Sequence, residues 1–80
     1  MKKEVTCGLI KVEWNGYEYR AVLGYVPGDG YFIAIVNWNV CILISEPSDI
    51  RYNRVKIGKA LENDEAGTAI AEKIKDEWGK

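Results

Sequence analysis

The chain has 80 residues, 11 basic and 12 acidic, with a formal net charge of −1, and 48% of it is hydrophobic. That length makes one domain, residues 1–80, and the apolar content belongs to a folding sequence and not a disordered one. The near-cancelled charge excludes a strong overall field and hence a general nucleic-acid or anionic-membrane binder, while two cysteines and no histidine exclude a disulfide framework.

The opening Met1-Lys2-Lys3-Glu4-Val5 is basic enough to begin a signal peptide, but Gly8, Lys11 and Glu13 interrupt any apolar core, so no secretion signal is expected. A first strand is predicted over about residues 4–14 and a second over 17–26. Between them, Asn15-Gly16 has the residue types that tolerate the positive φ of a two-residue type I′ turn. That turn fixes a register in which Trp14 lies opposite Tyr17, Val12 opposite Tyr19 and Ile10 opposite Ala21 on one face. On the other face Glu13 meets Glu18, Lys11 meets Arg20 and Leu9 meets Val22.

Pro27-Gly28-Asp29-Gly30 reads as a four-residue loop leading into a third strand over about 31–38. Pairing Val26 with Tyr31 then sets Phe32, Ala34, Val36 and Trp38 beside Tyr25, Leu23, Ala21 and Tyr19. A turn near Trp38-Asn39 gives a fourth strand, about 40–46, with Cys41 and Leu43 on the aromatic face and Ile42 and Ile44 with Ile33 and Ile35 on the aliphatic one. Residues 46–49 form a loop, and 52–57 make a short fifth strand or irregular cover. A helix is predicted over about 64–78, with acidic residues in its first turn and Ala66, Ile70, Ile74 and Trp78 at four-residue spacing. Gly67 weakens that helix by about 1 kcal/mol relative to alanine, so it either permits close approach to the sheet or is tolerated. The longest apolar run, Tyr31 to Ser45, contains Asn37 and Asn39 and falls short of the ~20 residues needed to span a bilayer, so no membrane association is expected.

The fold class expected is α+β, an antiparallel meander of four or five strands with one C-terminal helix packed on the sheet; a small five-stranded barrel plus helix is the alternative. A four-stranded sheet is ~19 Å wide, so one helix covers a single face, yet both faces are apolar. Either residues 47–61, barrel closure, or a second protein surface must cover the other. With Ile70 and Ile74 meshing with the aliphatic face, the aromatic face becomes the working surface, and Trp14, Tyr17, Tyr19 and Trp38 are its candidate protein-binding residues.

Arg51, Tyr52, Arg54, Lys56 and Lys59 form the best candidate for nucleic-acid binding, a basic run with no acid and an interleaved tyrosine. Its structural counterpart is a solvated segment neutralised by Glu62, Asp64 and Glu65. Base stacking on the aromatic face is disfavoured, because Lys11 and Arg20 point to the opposite face. No catalytic, metal or cofactor site is expected. Cys7 and Cys41 lack a histidine partner and read as buried, reduced thiols, and Gly28-Asp29-Gly30 joins two strands where a phosphate loop leads into a helix.

Tyr19-Arg20-Ala21-Val22 followed by Gly30-Tyr31-Phe32-Ile33-Ala34 is similar to the opening strands of HicB-type antitoxins. The similarity covers under a quarter of the chain, and the glycine and threonine signature that should lead from the second strand into a helix is replaced by a further strand. The function expected is that of a cytoplasmic, non-enzymatic protein-binding module, self-associating as a homodimer or inhibiting a partner, of a kind with small accessory proteins of phages and mobile elements. Nucleic-acid association through residues 51–59 is the runner-up.

Overall fold

The computed structural model describes residues 5–78, and the side chains of residues 9–77. Four strands, β1 (Val5–Trp14), β2 (Tyr17–Val26), β3 (Gly30–Ile35) and β4 (Val40–Ile44), are followed by two helices, α1 (Ile50–Leu61) and α2 (Asp64–Trp78). The strands form one open antiparallel sheet in the order β1-β2-β3-β4, so the fold is α+β and not a closed barrel.

The first hairpin forms as its turn residues dictate. Asn15 and Gly16 take φ of 53° and 80°, and Trp14 pairs with Tyr17, Val12 with Tyr19, Ile10 with Ala21 and Lys11 with Arg20. Beyond Leu9 a bulge in β1 shifts the register, so that Val5 pairs with Tyr25 instead of Val26.

The second hairpin differs from expectation by one residue. Its loop is Pro27-Gly28-Asp29, with Gly28 at φ 93° and the Asp29 amide donating to the Val26 carbonyl at 2.9 Å, so Val26 pairs with Gly30. A one-residue slip moves every following side chain to the other face. Ile33 and Ile35 therefore sit beside Leu23 and Ala21, on the face of Tyr19 and Val12, while Phe32 and Ala34 turn to the opposite face. The pairing of β3 with β4 carries Ile42 and Ile44 with Ile33, and Cys41 and Leu43 with Ala34 and Phe32.

β3 also ends early. Residues 36–38 form a single 3-10 turn closed by Asn39 at φ 58°, which reverses the chain into β4. The side chain of Asn37 substitutes for the strand that has stopped: its Oδ1 accepts from the Arg20 amide at 3.0 Å and its Nδ2 donates to the Glu18 carbonyl at 2.8 Å.

Residues 52–57, expected as strand or irregular cover, lie inside α1. Asp49 caps this helix by accepting from the Tyr52 amide at 3.2 Å, and Asn53, Ile57 and Leu61, spaced by four, face inward. Asn53 is wholly buried, and it is satisfied because its Oδ1 accepts from the Ser45 amide and its Nδ2 donates to the Glu46 carbonyl, each at 2.9 Å. One amide side chain thus ties α1 to the end of β4. Asn63 caps α2 through the Ala66 amide at 3.1 Å, and Ala66, Ile70, Ala71 and Ile74 are buried, as the four-residue spacing predicts. Trp78, the last member of that pattern, has its side chain outside the described set.

The two helices touch at glycines. A Cβ on Gly67 would lie 2.4 Å from the Gly58 nitrogen and 2.5 Å from its Cα. Gly67 thus permits close approach, though to α1 and not to the sheet. Both helices cover the same face, where Ile10, Val12, Tyr19, Leu23, Ile33 and Ile35 pack against Ile57, Leu61, Ile70 and Ile74.

Candidate functional site

Among the described residues, no helix lies on the opposite face. Across its four strands run Leu9, Val22, Ala34 and Cys41 in one row and Phe32 and Leu43 in the next. Leu9 is 54% exposed and Leu43 57%, values that core positions never approach, while Val22, Phe32 and Ala34 are half-buried. Phe32 lies over Gly24, where an added Cβ would meet the ring at 2.3 Å, so the glycine gives the ring its seat. Towards the first hairpin tip the same face turns polar: Lys11 pairs across to Arg20 and Glu13 to Glu18, and Arg20 Nε lies 3.5 Å from Glu18 Oε1. Only β1 and β2 reach that far, because β3 gives way to the 3-10 turn after Ile35. The face is therefore a four-strand apolar strip with a two-strand charged extension.

This reverses the expected assignment of faces. The helices lie on the side of Tyr19, which is only 4% exposed, and the residues left open are those that the register slip moved, Phe32, Ala34, Cys41 and Leu43, together with Leu9 and Val22. The signal that locates them is local: Pro27-Gly28 with Gly30 at φ 104° closes a three-residue loop. Cys41, expected to be buried, is exposed and free for the same reason; the Cys7 side chain lies outside the described residues.

The structure does bring the aromatic candidates together. Tyr17 and Tyr19 meet edge to face with centroids 4.7 Å apart, and Trp38 lies 5.8 Å from each. They form a corner at one end of the covered face. Tyr17 and Trp38 keep about two-fifths of their surface, at 40% and 42%, Trp14 is half-buried, and Asn37 donates to the Tyr17 hydroxyl at 3.4 Å.

The basic candidates share one helix. Arg51, Arg54, Lys56 and Lys59 are all exposed on α1, and none forms an ion pair among the described residues. Tyr52 and Val55, each about half exposed at 49% and 50%, stand among them. The acids expected to neutralise them, Glu62, Asp64 and Glu65, begin beyond the end of α1.

Among the described residues no three cysteine, aspartate or glutamate side chains gather at metal-binding distance, and no helix is long and apolar enough to cross a membrane. Sequence comparison matches residues 2–79 to a family of unknown function, DUF6618. The chain belongs to that family. No curated protein and no solved structure matches it.

Proposed function

We propose that this domain is a non-enzymatic protein-interaction module that works by having its open sheet face covered, the covering surface being the same face of a second copy. The apolar strip with Leu9 and Leu43 more than half exposed carries the reading. Four strands by two residue rows measure about 19 by 13 Å, roughly 250 Å² of contiguous surface, an area that single monomers also leave uncovered, so the contact it supports is a small one.

The shape of the face supports a copy of itself. Stacked about a twofold axis running along the strands, β1 of one protomer lies over β4 of its partner, and the apolar rows meet. The charged rows at Lys11, Arg20, Glu13 and Glu18 then overhang the partner's shorter strands and stay wet. The area buried falls below about 1,200 Å² in total, so the association is weak and concentration-dependent. A reducing, cytoplasmic setting fits an exposed free thiol on that face.

Sedimentation velocity over a concentration series tests this. The expected result is a mass that rises from 9.1 kDa towards twice that value, with Leu43→Lys holding the protein monomeric without loss of fold. A strict monomer at every concentration sinks the self-association.

A second reading rests on a separate observation, the unpaired cations of α1. Four basic residues with an exposed tyrosine and no acid on the helix suit an acidic ligand, nucleic acid included. Arg51→Glu with Arg54→Glu removes salt-dependent binding to nucleic acid if that reading holds; unchanged binding removes the reading.

A further inference from the structure

β1 is an edge strand, and α2 runs beside it. Between them lies a cleft of about 380 Å³, lined by Lys11, Val12 and Glu13 of β1 and by Ala69, Glu72 and Asp76 of α2 among others. It is an open groove and not an enclosed pocket, the shape an extended chain fits. In a hairpin closed by a two-residue turn, the flanking pair Trp14 and Tyr17 exchanges both ladder hydrogen bonds. Along β1 the backbone of Val12 therefore faces β2, and the N–H and C=O groups of Lys11 and Glu13 face outward into the cleft. No hydrogen bond from outside the sheet reaches them among the described residues. The bulge between Thr6 and Leu9 ends the regular edge, so the accessible ladder runs from Leu9 to Trp14.

The wall opposite is charged. Ala69, Glu72, Lys73 and Asp76 form one stripe of α2 at helical spacing, and Lys73 is already held by Glu77 at 3.4 Å. Glu72 and Asp76 carry no ion pair among the described residues, so the helix wall is acidic, while Lys11 and Glu13 contribute backbone to the cleft and turn their side chains to the open face. Its floor, Val12 and Ala69, is small and apolar.

We propose that this cleft takes an extended segment of a partner protein as a fifth strand on β1, one with lysine or arginine at alternate positions. The backbone pairing fixes the segment's register, and residues of period two place successive cations along the acidic wall. The site uses the backbone edge of β1 and the α2 wall, not the apolar strip of the open face or α1, and it stands whether or not the chain self-associates.

The probe is acetyl-Lys-Val-Lys-Val-Lys-amide, added to the isotope-labelled full chain and followed by NMR. The expected result is hydrogen-exchange protection of the Lys11 and Glu13 amides, together with shifts at Glu72 and Asp76. Two further peptides, N-methylated at both valines or at all three lysines, keep the charge but block pairing in one register each; one of the two should bind about tenfold more weakly or worse. Glu72→Lys with Asp76→Lys, both on the exposed helix surface, should weaken the parent peptide by at least about tenfold. Unchanged protection of the two edge amides, equal binding of both methylated peptides, or indifference to the double reversal each overturns strand addition here.

Discussion

The two faces of this sheet are built from similar residues and end in opposite states. One face carries Ile10, Leu23, Ile33 and Ile35, buried under two helices; the other carries Leu9, Val22, Phe32 and Leu43, with no helix over it among the described residues. Hydrophobicity alone does not separate them. What separates them is turn geometry: a three-residue loop aims Ile33 and Ile35 at the helices, where they pack with Ile70 and Ile74. The alternate residues, Phe32 and Ala34, are left for solvent or a partner.

The difference is open to direct measurement, and Ile33→Ala on the covered face should cost about 3 to 4 kcal/mol in urea unfolding, since the site is wholly buried and collapses poorly. Gly67→Ala attacks the covered side at its helix contact. Alanine gains about 1 kcal/mol of helix propensity, but the Cβ falls 2.4 Å from the backbone of Gly58, which has no side chain to swing aside. A net loss of about 2 to 3 kcal/mol is expected; a gain in stability would show that the helices separate freely. Asn53→Ala should cost about 2 kcal/mol, because it strands the Ser45 amide and the Glu46 carbonyl at the junction of β4 and α1. Glu62→Gly, at φ 57° after α1, should raise stability by about 0.5 to 1 kcal/mol by relieving a left-handed backbone, read as a higher urea midpoint. Leu43→Ala on the open face sets the lower limit, about 0.5 kcal/mol or less, and a cost as large as that of Ile33→Ala would mean the open face is core.

The asparagines show how much of the site was legible. Asn15 and Asn63 act through their own backbone or the next turn, as a turn residue and a helix cap, and both roles follow from neighbouring residues. Asn37 presents its amide to two backbone groups of β2, and Asn53 to two backbone groups of the loop after β4. No local pattern announces that. Asn53 in particular interrupts the apolar stripe of α1, which is why Tyr52-Asn53-Arg54-Val55-Lys56-Ile57 resembles alternating strand; the Asp49 cap and the spacing of Ile57 and Leu61 are the signals that favour helix. The basic candidates all lie on α1 and are exposed, spread over about half of its circumference.

By itself the sequence determined the α+β class, the register of the first hairpin and the buried stripe of α2. These rest on contacts between residues close in the chain: positive φ at Asn15-Gly16, and a spacing of four that lines up Ala66, Ile70 and Ile74. Only the tertiary structure decided which sheet face is covered. One residue of loop length at Pro27-Gly28-Asp29 inverts β3 and β4 together, and both faces are apolar enough to accept either outcome, so the choice falls to packing against helices that lie twenty or more residues further along the chain.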